Sequence, residues 1–195
     1  MAVVTAAGES PAVVAWRRVR TATWSEAAKA AIFVVLIHAV LTLVLAWRLP
    51  VTKQFDEIAH YSAMAHQRSD PELFPHYERQ VVLAPDLATP TTEPSYISHP
   101  SLYYLLLAPL TGLKHGLILL RLVNVLIAYA ALAIVIRAGW PLLDSAFGRV
   151  AFAIIAASFP KFVLIGAMVN NDNLAALAGA LVFAGLAGAA APAWL

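Results

Sequence analysis

The strongest constraint on this fold is an apolar run of 20 residues from Ala30 to Leu49, "AAIFVVLIHAVLTLVLAWRL". A helix of this length, at about 1.5 Å per residue, crosses the hydrocarbon core of a bilayer. His38 is the only ionisable residue of the run before Arg48, which lies at its end. The run is too long for the apolar part of a cleaved signal peptide, and no clear small-x-small site follows it. It therefore predicts a permanent transmembrane helix.

The composition fits a chain that folds in lipid. Hydrophobic residues make up 61% of the sequence and charged residues 12%, with a mean hydropathy of +0.75, unlike an ordinary soluble domain. The absence of cysteine excludes disulfides, thiolate metal sites and a cysteine nucleophile. The net charge of +2 is small and the basic residues flank apolar segments, so nucleic acid is not an expected partner.

Later apolar segments predict further spans at 117–136, 150–169 and 174–191. Basic residues before the first span place residues 1–29 in the cytoplasm by the positive-inside rule. The prediction is an all-α polytopic protein of the cell (inner or plasma) membrane, with about four spans in a membrane domain over 30–195. Because the chain stops directly after a span, we expect it to be part of a longer gene product.

Residues 50–116 then form a large extracytoplasmic loop, which holds seven of the eleven acids between Asp56 and Glu93. Two surface-lying helices are predicted in it. One covers about 55–68 and turns Phe55, Ile58 and Ala59 toward lipid. The other covers about 101–113 and has Tyr103 and Tyr104 at headgroup depth. A short span at 101–113 stays open as the alternative.

This topology brings two acidic sites from distant parts of the sequence to one membrane face. Asp56 and Glu57 follow the first span, and "NNDN" at 170–173 precedes the last. Ionisable groups beside membrane spans are costly, so they are candidates for function.

Motifs that occur in a fixed order carry a resemblance to a known family. They are "FDEIAHY" from Phe55, "HPSLYYLLLAPL" from His99, "RLVNVL" from Arg121 and "FPKFVLIGAMVNNDNLAAL" from Phe159. Together they resemble the N-terminal part of GT-C superfamily glycosyltransferases. That superfamily includes the protein O-mannosyltransferases and the lipid A aminoarabinose transferase.

The resemblance implies a polyprenyl-phosphate-linked sugar as donor and a lipid, glycan or protein acceptor on the extracytoplasmic face. It makes Asp56 the catalytic base or acceptor-orienting carboxylate, with Glu57 beside it and Asp172 at the same cavity. A carboxylate can take the proton of an acceptor as it attacks the anomeric carbon. The family's His-Pro-Pro motif appears here as His99-Pro100-Ser101. The serine in place of the second proline affects the expected shape of the loop and not the site.

Several other side chains are candidates for binding substrate or lipid phosphate: His60, His99, Tyr103, Lys114, Arg121 and Asn171. Simpler roles compete with these. Acids at 56 and 57 favour a helix N-terminus, Asp172 can be a helix N-cap, and basic side chains commonly snorkel. His60 and His66 do not share a helix face, so they predict no metal site, while a divalent cation between Asp56 and Asp172 stays open.

The alternative function is that of a non-enzymatic polytopic protein, such as a transporter half or an assembly subunit. A transporter places polar groups near the bilayer midplane on broken helices, and His38 and Lys161 fit that pattern. The acids gather at the outer rim instead, which favours chemistry at the membrane surface.

Overall fold

The computed structural model describes residues 11–51 and 56–190, with side chains at 26–51 and 56–189. This part of the chain is mostly helical, which confirms the all-α prediction. The helices are α1 (Pro11–Arg48), α2 (Glu57–Ser69), α3 (Leu102–Leu107), α4 (Gly116–Gly139), α5 (Ala146–Ala157), α6 (Pro160–Gly166) and α7 (Asp172–Ala190). Short 3-10 helices lie at Tyr77–Arg79, Ala108–Gly112 and Trp140–Leu142, and two strands at β1 (Val81–Leu83) and β2 (Pro90–Pro94).

Three helical segments of the described residues are long and apolar enough to cross a membrane: Glu26–Arg48, Gly116–Leu142 and Asp172–Ala189. Many of their large apolar side chains are exposed, among them Phe33, Leu126 and Leu186. Contiguous apolar surface of this kind is stable against lipid and costly in water. The three segments therefore indicate a membrane-embedded protein.

The segment predicted as a span at 150–169 is broken. Helices α5 and α6 meet at an angle of 53°, because Pro160 has no backbone N–H to continue the ladder. His38 reaches the break from α1, and its Nδ1 lies 2.7 Å from the carbonyl oxygen of Ala157. Counted as one bent span, α5 and α6 would make a fourth crossing, so the four-span topology stays a prediction.

The main core lies where α2, β1, α3 and the first turns of α4 meet. Ile58 and Ala59 are 1% and 0% exposed in this core, so the prediction that they face lipid is wrong. The hairpin and α3 both pack on α2 and cover that face. Tyr103 and Tyr104 are also buried within the protein, whereas Phe55 lies outside the described residues.

A β-hairpin covers α2 and was not expected from the sequence. Strands β1 and β2 are antiparallel, with an irregular register between Val81 and Leu83. Its attachment to α2 is a hydrogen bond at 2.9 Å from the backbone N–H of Leu83 to Ser62 Oγ. Beyond β2, the backbone N–H of Ser95 donates to the carbonyl of Gln80, which fixes the segment that carries Tyr96.

Candidate functional site

A buried ion pair between Glu57 and Arg121 joins the outer ends of the helices. Arg121 Nε donates to Glu57 Oε1 at 2.8 Å and Nη2 donates to Oε2 at 2.6 Å, the two-pronged geometry that a guanidinium favours. The backbone N–H of Val169 donates to the same Oε1 at 3.0 Å. Glu57 is 0% exposed, so its carboxylate is satisfied by protein on both oxygens.

The same arginine closes the end of the first span. Helix α1 ends at Arg48, before Pro50, and leaves its last carbonyls without helical partners. Arg121 Nη1 donates to the carbonyl oxygens of Ala46 and Leu49, at 2.9 and 2.7 Å. We call Glu57, Arg121 and these backbone partners the ion-pair hub, because it ties α1, α2, α4 and the α6–α7 loop together.

Asp56, directly before the hub, has the opposite environment. It is exposed, and its backbone is left-handed, with φ 62° and ψ 14°, a conformation that is uncommon outside glycine and that aspartate and asparagine tolerate better than other side chains. The Tyr96 hydroxyl donates to Asp56 Oδ1 at 3.0 Å. Within the part of the chain that the structure describes, Oδ2 has no hydrogen-bond partner.

A histidine–tyrosine cluster, made of His60, His99, Tyr77 and Tyr104, lies beside Asp56. His60 Nδ1 and Tyr104 Oη are hydrogen-bonded at 2.8 Å, and the His60 ring stacks on His99 with centroids 5.8 Å apart. The Tyr77 hydroxyl donates to the backbone carbonyl of His99 at 2.7 Å. These contacts hold the imidazole of His60 in one orientation.

Burial lowers the pKa of His60 from 6.5 to about 4, with a further lowering by His99 that the charge of Asp56 partly opposes. His60 is therefore neutral at pH 7 and can exchange hydrogen bonds without carrying charge. Burial also raises the pKa of Tyr104, and Tyr77, Tyr103 and Asp172 raise it further. Asp56 and Asp172 thus act electrostatically on the two members of one hydrogen-bonded pair, one acid on each.

Asp172 is exposed at the start of α7 and is not the helix cap that its position suggested. The Asn170 side-chain oxygen accepts from the Asp172 backbone N–H at 2.8 Å. The Asn171 carbonyl accepts from the N–H groups of Leu174 and Ala175. Two asparagines therefore satisfy the first turn, and the Asp172 carboxylate is left to other interactions.

A buried asparagine bridge positions the loop before α7. The Tyr103 hydroxyl and Asn173 Nδ2 both donate to Asn124 Oδ1, each at 2.8 Å. Asn173 Nδ2 also lies within hydrogen-bond range of the carbonyls of Ile165, Met168 and Asn170. Tyr103 therefore belongs to the framework of α3, α4 and α7 rather than to an open surface.

The remaining predicted residues divide between exposed and framework positions. His99 is exposed at the rim of the cluster, and Lys114 is exposed before α4, with no contact to the cluster among the described residues. Asn171 is half-buried and its Oδ1 has no partner in that part of the chain. No group of three or more His, Asp or Glu side chains in the described ranges is arranged to hold a metal ion.

Sequence reasoning missed three residues that define the site. Tyr96 gave no signal, because it approaches Asp56 only through the hairpin. Tyr77 lies likewise in the proline-rich loop. Asn124 did give a signal: it is a polar residue three positions after Arg121 in an apolar span, which puts both on one helix face.

Comparison of the chain with protein-family models, with curated proteins and with solved structures gives no match.

Proposed function

We propose that this protein is a membrane glycosyltransferase that moves a sugar from a polyprenyl-phosphate donor to an acceptor on the extracytoplasmic face. Asp56 is the base that takes the acceptor's proton. The observation that carries the proposal is the contrast at the start of α2: Glu57 is committed to the ion-pair hub, while Asp56 is exposed in an uncommon, left-handed backbone conformation. Residues held in such conformations concentrate at functional sites.

The reaction needs few protein groups. The acceptor's oxygen or nitrogen attacks the anomeric carbon, and the bond from that carbon to the phosphate oxygen breaks. The electron pair leaves with the polyprenyl phosphate, while Asp56 Oδ2 receives the acceptor's proton. A phosphate is a capable leaving group, so no second carboxylic acid is required to protonate it, unlike in glycosidases.

The surrounding side chains suit the binding of an uncharged sugar. The exposed ring of His99 offers stacking surface and the exposed Tyr96 side chain offers its hydroxyl next to Asp56. The buried His60–Tyr104 pair supports the His99 ring from below. Asp172 is near enough to the cluster to raise the pKa of Tyr104 and is the second acid of the proposed site. The ion-pair hub and the asparagine bridge hold the elements that carry these groups.

The membrane arrangement that accompanies the proposal has four spans, a cytoplasmic N-terminus and the loop of 50–116 outside, in the cell membrane. Helices α5 and α6 together form the third span, which returns Asp172 to the face of Asp56. The motifs in which these acids stand support the assignment, because they resemble those of GT-C glycosyltransferases over residues 55–177.

The test is sugar transfer by the complete polypeptide reconstituted in lipid vesicles with radiolabelled polyprenyl-phosphate sugars and cell-envelope acceptors. Asp56→Asn keeps the shape of the side chain and removes its basicity, so transfer should fall by roughly 10²–10⁴ while donor binding survives. Asp144→Asn, which removes an exposed acid between α4 and α5, is the matched control and should transfer normally. Equal transfer by wild type and Asp56→Asn would refute the role of Asp56.

The alternative of a transporter half or assembly subunit draws on one observation. His38 is buried in the first span and bonds to the break between α5 and α6, and broken helices with polar groups are typical of transporters. The same vesicles separate the two functions. A transporter moves a solute across the bilayer and leaves the labelled sugar on its lipid, whereas the enzyme transfers the sugar and leaves the solute where it was.

A further inference from the structure

Helix α3 and the 3-10 helix that continues it, Ala108–Gly112, have a buried face and an exposed face. Tyr103 and Tyr104 lie in the main core. The exposed face is apolar, and its residues recur at intervals of four, three and four, which puts them in one stripe along a helix. They are Leu102, Leu106, Pro109 and Leu113, which we call the α3 stripe. The three leucines are 57%, 64% and 50% exposed.

Two contacts place α3 and its continuation beside the first turns of α4. The Tyr103 hydroxyl donates to Asn124 Oδ1 at 2.8 Å, and Asn124 lies roughly 12 Å along the helix axis from Gly116, where α4 begins. A Cβ at Gly116 would stand 2.4 Å from the carbonyl oxygen of Leu110, so the glycine lets the 3-10 helix pack against the start of α4. The α3 stripe therefore stands beside α4 and not beyond its end.

These turns of α4 belong to a segment that is long and apolar enough to cross a membrane, Gly116–Leu142. Its side chains Leu119, Leu122 and Leu126 are exposed. The sequence has no charged residue from Leu102 to Leu113, so exposed apolar side chains occur without interruption along the α3 stripe. Apolar surface at the level of a membrane span is stable against lipid and costly in water.

A second segment adds apolar side chains at the start of α3. The Ser101 hydroxyl donates to the backbone carbonyl of Leu73, which holds this segment next to Leu102, the first residue of the α3 stripe. Leu73 and Phe74 are 63% and 84% exposed. Two large apolar side chains in succession, both open to the surroundings, are typical of a loop that meets the boundary between lipid headgroups and acyl chains.

We propose that the α3 stripe, with Leu73 and Phe74 at its start, lies in the bilayer leaflet next to the first turns of α4 and contacts acyl chains. Helix α3 is then the wall between lipid and the histidine–tyrosine cluster, because Tyr104 bonds to His60 on its inner face while Leu106 is exposed on its outer face. A second copy of the chain is the competing occupant, and the position beside a span is the reason to choose lipid. The contact does not depend on glycosyl transfer.

The test is site-directed spin labelling, which is clean because the sequence has no cysteine. Leu106→Cys and Phe74→Cys replace exposed side chains, and each carries one nitroxide in the full chain reconstituted in vesicles of phosphatidylcholine and phosphatidylglycerol. Power saturation compares collisions of the nitroxide with oxygen, which concentrates among acyl chains, and with a nickel chelate that stays in water. We expect the ratio of oxygen to nickel collisions at both positions to be several times higher than at a position in water.

Two control variants calibrate the ratio. Ala88→Cys labels an exposed position in the hairpin turn and should report water, whereas Leu126→Cys labels a 67% exposed position of α4 and should report lipid. Thermal midpoints verify folding, and Leu102→Cys replaces Leu106→Cys if the latter is unstable. A ratio at either tested position equal to that of Ala88→Cys would overturn the proposal. Few collisions with both reagents, with line broadening that disappears on dilution with unlabelled protein, would identify a second copy and overturn it as well.

Discussion

Asp56 and Glu57 are neighbours in the chain, yet their carboxylates have opposite surroundings. Glu57 is enclosed, with two bonds from Arg121 and one from the backbone of Val169. Asp56 is exposed, and of the described residues only Tyr96 donates a hydrogen bond to it. The pair shows that a local acidic motif does not have one function. The first acid is exposed to solvent, and the second holds the frame from which the first projects.

The substitution with the largest expected effect on stability removes Arg121. Arg121→Ala leaves the Glu57 charge buried without its partner, which costs about 3–5 kcal/mol, and it frees the carbonyls at the end of α1 as well. We expect a strongly lowered thermal midpoint, or loss of monodisperse protein in detergent. Arg137→Ala, at the exposed C-terminal turn of α4, is the control and should cost less than about 1 kcal/mol.

The double variant Glu57→Leu with Arg121→Met sharpens the result. Replacing both partners of a buried ion pair by apolar residues of similar volume is often close to neutral, so most of the lost stability should return. If Arg121→Ala were as stable as Arg137→Ala, the ion-pair hub would not hold the frame, and Glu57 would be free for a role beside Asp56.

The next prediction concerns the pH dependence of stability. It tests whether His60 is enclosed by the protein, as Glu57 is, or exposed, as Asp56 is. The folded pKa of about 4 lies below the ordinary 6.5, so the unfolded chain binds a proton in a range where the folded protein does not. The His60 contribution is therefore fully present above pH 6.5 and is lost as the pH falls toward 4, by roughly 3 kcal/mol in total.

Thermal midpoints measured between pH 7.5 and pH 4 check this expectation. His60→Gln keeps a hydrogen-bonding side chain toward Tyr104 and does not titrate, so its midpoint should depend less on pH than that of wild type. His76→Gln, which changes an exposed histidine paired with Glu78, should follow the wild-type curve. Parallel curves for wild type and His60→Gln would show that His60 is not buried in its neutral form.

Much of the helical framework could be predicted, because length and hydropathy act locally. The apolar run at Ala30–Leu49 lies in α1 up to its last residue, Arg48, and the run at 117–136 lies within α4. The proline-rich stretch between α2 and α3 forms no helix longer than a 3-10 turn. The lipid-facing orientation of α2 was wrong for a physical reason. The hairpin that covers α2 is held to it by contacts between residues that are far apart in the sequence. Its two short strands show no clear alternation of polar and apolar residues.

The candidate site also has a part that the sequence could indicate and a part that it could not. Asp56 and Asp172 could be singled out as candidates because a carboxylate beside a span is unusual in any context. Arg121 was assigned to a lipid phosphate because its sequence neighbours do not reveal that Glu57 reaches it first. Whether a charge is free or paired depends on contacts between distant segments, and these emerge only from the folded chain.

The substitution with the smallest expected effect on stability is at Asp56. This substitution tests the contrast between Asp56 and Glu57 most directly. A left-handed backbone at φ 62° favours glycine, so Asp56→Gly relieves conformational strain. It gives up the Tyr96 contact and an acid near the start of α2, while no side-chain cap bond is lost because Asp56 makes none. These terms oppose one another, and the stability should stay within about 1 kcal/mol of wild type.

Transfer activity should nevertheless be lost in Asp56→Gly, because no base remains. Leu87 has the same left-handed backbone, at φ 59° in the hairpin turn, and Leu87→Asn is the matched control, since asparagine accepts that conformation. It should leave transfer unchanged. Differential scanning fluorimetry and the vesicle assay on the same preparations measure both quantities. If Asp56→Gly lost as much stability as Arg121→Ala, the Asp56 carboxylate would be a structural group like that of Glu57. A stable protein without transfer is the result expected of a residue whose carboxylate serves chemistry rather than stability.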